Sequence, residues 1–172
     1  MKTDPYHPCH IWTGGSDAIF LPSLGKLDDC GNTWESITAL ENVEATVYDV
    51  AVHPVDANII LVGFSGGVRP ANIVRKSIDG GNTWQTVLKD IGVRTFAHSA
   101  RNPQIIYVSG RSATSTLFFA VSRDFGDSWE RIKLKDETTG IWVNDMISVI
   151  QNGHEVLYFG TNKGVFSYTI EG

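Results

Sequence analysis

Ser77-Ile78-Asp79-Gly80-Gly81-Asn82-Thr83-Trp84 is the stretch on which the reading of this chain turns. A carboxylate two residues after a hydroxyl can accept N–H groups of its own turn, a glycine can take a positive φ, and the second hydroxyl can bond locally. The Trp then opens the next strand with a large apolar ring. The same pattern, Ser-x-Asp-x-Gly-x-Ser/Thr-Trp, returns as Ser122-Arg123-Asp124-Phe125-Gly126-Asp127-Ser128-Trp129. An incomplete copy, Leu27-Asp28-Asp29-Cys30-Gly31-Asn32-Thr33-Trp34, has Leu in place of the first Ser. Asp29, Gly31 and Trp34, Ser77, Asp79, Gly81 and Trp84, and Ser122, Asp124, Gly126 and Trp129 therefore read as the structural residues of a repeated hairpin staple.

Around these turns the chain repeats at larger scale. The three box tryptophans lie at 34, 84 and 129, intervals of 50 and 45 residues. Apolar runs ending in glycine recur at similar spacing: Ile11 to Gly14, Ile59 to Gly63, Ile105 to Gly110 and Val156 to Gly160. A further strand-like segment precedes each of the last three, with Tyr48-Asp49, Arg94-Thr95 and Asn144-Asp145 in corresponding places. Short β-branched and aromatic segments separated by Gly, Pro and Asn predict strands, and no segment carries a capped helical period. The expected fold is all-β. It is a β-propeller of four-stranded antiparallel blades, about three and a half to four in this chain, in units of about 1–40, 41–90, 91–136 and 137–172. The first unit is expected to lack most of its first strand and the last its fourth, which makes fourteen strands.

A net charge of −5 with scattered arginines argues against a phosphate-tracking surface, so no nucleic-acid partner is expected. The N-terminal residues contain no apolar leader core, and no run is long enough to cross a membrane; localisation stays unknown. No cofactor is expected, and no metal either: the five histidines are dispersed, and a box offers too few carboxylates for calcium. Cys9 and Cys30 flank neighbouring strands at one end. A disulfide between them is open, with two separate buried thiols the default.

The boxes, together with Asp49-Val50-Ala51-Val52-His53-Pro54 and the strand that precedes each turn, resemble the Asp-box (BNR) repeat. That repeat occurs in sialidases, family 74 glycoside hydrolases, sortilin-type receptors and photosystem assembly factors. The resemblance covers nearly the whole chain and implies a propeller whose active or binding mouth lies opposite the boxes. Here that mouth would gather Glu41, Glu44, Arg69, Arg111, Asp136, Glu137 and Trp142 from the connections between strands. The Arg-Ile-Pro stretch of sialidases is absent from this sequence, and nothing in the spacing of Arg69, Arg94 and Arg111 supports the arginine triad of that family.

Candidate chemistry follows from the inner strands. Asp49 and Asp145 could form an acid/base pair for glycoside cleavage, whereas a repeated Asp at a strand start ordinarily bonds its own backbone or a neighbouring unit. Tyr48, Arg94, Trp142 and Asn144 are the binding candidates. The expectation is therefore a non-catalytic module recognising a glycan or protein partner; the alternative is a carbohydrate-active hydrolase using channel carboxylates. Open sheet edges further suggest a head-to-tail homodimer that completes the ring.

Overall fold

The computed structural model describes residues 2–3, 6, 8–17, 21–27, 30, 32–37, 40, 43–69, 72–111, 118–134 and 140–171, with the side chains of 2–3, 67–69 and 118 excepted. The described residues form fifteen strands in four antiparallel sheets, each a meander in chain order. The first sheet contains β1 (Lys2–Thr3), β2 (Ile11–Ser16), β3 (Pro22–Leu27) and β4 (Glu35–Ile37). The second contains β5 (Glu44–Val52), β6 (Ile60–Arg69), β7 (Ile73–Ser77) and β8 (Gln85–Lys89). The third contains β9 (Gly92–His98), β10 (Ile106–Arg111), β11 (Phe118–Ser122) and β12 (Glu130–Lys133). The fourth has β13 (Val143–Gln151), β14 (His154–Thr161) and β15 (Gly164–Thr169). Three sheets have four strands and the last has three. The strand total is one higher than fourteen, because two residues of β1 pair with Ile11 and Trp12.

The expectation of a β-propeller is corrected. No sheet curls into a barrel, and three core clusters join the sheets only in sequence. Trp12, Leu24, Val47, Val62 and Phe64 join the first two sheets, and Leu61, Val93, Phe96 and Val108 the next two. Tyr107, Phe119, Met146, Leu157 and Phe159 join the last two. No such cluster among the described residues joins the fourth sheet to the first. At the far side of the fourth sheet Ile147 and Val165 are instead exposed. Apolar area removed from water is what holds one sheet on another, at roughly 25 cal/mol per Å², and that contribution is absent where closure would be needed. The result is an open array of four sheets.

Two local devices set the spacing between sheets. Gly63 lies under the next sheet, and a Cβ at this position would run into Val93 Cγ1 and press on the Phe96 ring. Glycine is needed there for close approach rather than for a special φ. The innermost strand of each later sheet also carries a β-bulge. The register slips between Val47 and Asp49 in β5 and between Val143 and Asp145 in β13, and in the third sheet Ser109 faces Thr95 while Gly110 faces Val93. The extra residues are Tyr48, Asn144 and Arg94, the same three that correspond in the sequence repeat. A bulge bends its strand and re-aims the inserted side chain.

Candidate functional site

The two complete boxes are hydrogen-bonded turns. Ser77 Oγ donates to Asp79 Oδ1 (2.8 Å) and accepts the Gly81 N–H (2.9 Å). Asp79 also accepts the Thr83 N–H at 2.9 Å and the Thr83 hydroxyl at 2.6 Å, and Trp84 Nε1 donates to the Gly81 carbonyl at 2.9 Å. Ser122, Asp124, Gly126, Ser128 and Trp129 repeat the arrangement bond for bond. Gly81 and Gly126 hold φ of 95° and 99°, values that a side chain would strain. The Thr83 hydroxyl and N–H, with Ser77, lower the Asp79 carboxyl to about 2. At Asp124 partial burial works upward, but the Ser128 and Ser122 hydrogen bonds outweigh it and leave the group at about 2 as well. Each carboxylate is thus held as a fixed acceptor.

The first box differs. Asp29 and Gly31 lie outside the described residues, but Cys30 and Cys9 are joined in a disulfide, with Cα atoms 4.2 Å apart. This corrects the default of separate thiols. Both cysteines sit at the box end of β2 and β3, so the bridge ties the turn where the others use Ser. Trp34 is 54% exposed, unlike its two counterparts, which pack on the cores between sheets.

The boxes lie at the same end as the turns between the first and second strands of a sheet: the Gly80 N–H donates to the Asn58 carbonyl at 3.0 Å. Near the inner strands, Trp12, Gly14, Tyr48, Asp49, Val50, Arg94, Thr95 and Asp145 line a cleft of about 240 Å³. Four of the six sequence candidates meet in it: Tyr48, Asp49, Arg94 and Asp145. Trp142 and Asn144 are not in its lining. Trp142 is 38% exposed and stands 5.7 Å from the Arg111 guanidinium instead. Glu41, Asp136, Glu137 and the Arg69 side chain lie outside the described residues.

Each cleft residue is held in a particular way. The Arg94 guanidinium stacks over the Tyr48 ring with its carbon 3.9 Å from the ring centre, a cation–π contact between two bulge residues of adjacent strands. Asp49 is buried; it accepts the Val50 N–H at 2.9 Å and, across the sheet boundary, the Phe96 N–H at 2.7 Å. Asp145 is exposed; it accepts the Met146 N–H at 2.9 Å and the Thr95 hydroxyl at 3.1 Å. Both carboxylates therefore grip β9, one from each flanking sheet. Two donors stand out: Trp12 Nε1 and Arg94 Nε are buried without a hydrogen-bond acceptor among the described residues. Trp12 is only 3% exposed. It occupies an ordinary core position of its repeat, and nothing in the sequence sets it apart.

Among the described residues no cluster of three or more His, Cys, Asp or Glu could hold a metal ion, and no helix is long and apolar enough to cross a membrane.

No protein-family model matches the chain, and no curated protein matches it. Solved structures do. An ancestral GH74 enzyme superposes over 96% of this chain with a TM-score of 0.70 at 21% identity, and the GH74 enzyme of Niastella koreensis over 97% with 0.69 at 18%. The chain spans only 22% and 28% of those two proteins. YCF48 bound to D1 peptide matches over 88% of this chain and 43% of its own, with a TM-score of 0.54 at 15% identity. Likeness at these identities is a likeness of fold.

Proposed function

We propose that this chain is a non-catalytic binding module whose inner cleft takes an oxygen-rich ligand, a glycan or an exposed protein segment. The observation that carries this reading is a cleft of about 240 Å³ that places the Arg94 guanidinium and the Tyr48 ring beside the Asp49 and Asp145 carboxylates. Tyr48, stacked with Arg94 and 41% exposed, gives the ligand an aromatic surface.

The hydrolase alternative has less support. An acid and a base need free proton-transfer capacity, whereas Asp49 and Asp145 are engaged by backbone N–H groups and hold adjacent sheets together. The fold neighbours include enzymes and a peptide-bound protein, so fold leaves the choice to the site. The test pairs a glycan and peptide array with an aryl-glycoside panel. Arg94→Ala is expected to lose the array signal about tenfold or more, with no glycoside turned over by the parent. Hydrolysis that disappears in Asp145→Asn would overturn the proposal.

A further inference from the structure

We infer that the inner cleft captures the free amino terminus of a protein segment, with the ammonium on Asp145 and the first carbonyl on Arg94. The inference rests on the reading of this cleft as a binding site and selects one of its two ligand classes.

The two aspartates that correspond in the sequence repeat are not equivalent in the structure. Both oxygens of Asp49 are engaged: Oδ1 accepts the Val50 N–H and Oδ2 the Phe96 N–H, and the residue is only 5% exposed. Asp145 concentrates its contacts on one atom. Its Oδ1 accepts both the Met146 N–H and the Thr95 hydroxyl, which fixes the carboxylate in place. Oδ2 has no hydrogen bond or ion pair among the described residues. Asp145 is exposed and lines the cleft, so this oxygen is available to a ligand.

Arg94 is available in the complementary sense. Its guanidinium is held over the Tyr48 ring and forms no hydrogen bond or ion pair among the described residues, although two carboxylates line the same cleft. A cation and an anion fixed in one cleft, neither satisfied by the other, match a ligand that carries a cationic donor beside an acceptor oxygen. An unblocked amino terminus has this arrangement. Its ammonium supplies three N–H donors, and its first carbonyl follows one carbon later. A lysine ammonium has no such acceptor beside it, and a neutral sugar hydroxyl brings no charge to Asp145. A terminal carboxylate is opposed by Asp49 and Asp145, which outnumber the single cation of the lining. The cleft, about 240 Å³, is smaller than the roughly 300–1,000 Å³ of pockets for drug-sized ligands. It therefore suits a chain end rather than a long segment.

The probe is an array of random-sequence peptides anchored through their carboxyl ends, printed once with free amino termini and once N-acetylated, and read with the whole chain. Signal is expected on the free set. In anisotropy titrations the strongest free peptides should bind at least about tenfold more tightly than their acetylated counterparts. Asp145→Asn retains one acceptor oxygen for the Met146 N–H and the Thr95 hydroxyl but removes the charge. It is expected to erase that ratio, with a circular-dichroism melt establishing that the variant folds. Equal affinity for free and acetylated peptides, or binding confined to glycans, overturns the inference while the reading of the chain as a binding module stands. A folded parent that binds neither peptides nor glycans overturns both.

Discussion

The first and third boxes each join a pair of antiparallel strands, but what ties them differs. In the third, Ser122 and Asp124 close the hairpin with four short hydrogen bonds, and Trp129 lies on the core between two sheets. In the first, Leu27 stands where the Ser would be, a disulfide from Cys30 to Cys9 ties the strands, and Trp34 stands 54% exposed. Among the described residues no core cluster includes Trp34, whereas Trp84 and Trp129 each pack on one. The turn and the docking of its ring are thus separable: the first box keeps a hairpin without the inter-sheet contact.

This contrast is easiest to break at the tryptophans. Trp129→Ala should cost about 3 kcal/mol or more in urea unfolding, while Trp34→Ala should stay within about 0.5 kcal/mol. Equal losses would mean that docking contributes nothing beyond the turn. The covalent tie comes next. Reduction of Cys9–Cys30, which closes a separation of 21 residues, should lower stability by about 3 kcal/mol in the chain-entropy account, read as the shift of the urea midpoint with and without dithiothreitol. Ser122→Ala leaves the buried Gly126 N–H without its acceptor and should cost about 1–2 kcal/mol. The same change at Leu27 has no hydrogen bond to remove.

The smallest effect concerns pH. Asp79 and Asp124 are both lowered to about 2 in the folded chain, below the value of about 3.9 for an unfolded aspartate. Groups with depressed folded values bind fewer protons folded than unfolded. Their contribution is therefore complete above about pH 4 and fades as the pH falls toward 2. The melting temperature should decline through this window, and Asp124→Asn should make the decline shallower.

Much of this was legible from the chain because a meander is local. Turn signals such as Asp79-Gly80-Gly81 set hairpin register, and register decides which of Ile60, Leu61 and Val62 faces which sheet. Ring closure was not legible. It depends on whether the first and last sheet faces are complementary, and a repeat pattern describes only how each unit meets the next. At the cleft, the alignment of Tyr48, Arg94 and Asn144 was visible, but a bulge leaves no sign in hydrophobic alternation, and the Arg94–Tyr48 stack required coordinates. The grip of Asp49 on the Phe96 N–H, 47 positions away, lies equally beyond local pattern. Cysteine spacing alone could not distinguish two thiols from a bridge.

The bulges on β5, β9 and β13 have one more consequence. Tyr48, Arg94 and Asn144 have no partner in the strand ladder, so their identities are only loosely constrained by pairing energy. The residues on either side, Val47 and Asp49 or Val143 and Asp145, hold the register whatever stands between them. Each inner strand thereby contains a slot at which chemistry can be exchanged while the scaffold is preserved. Related chains with this architecture can exchange the side chains at these three positions with little change in how they fold.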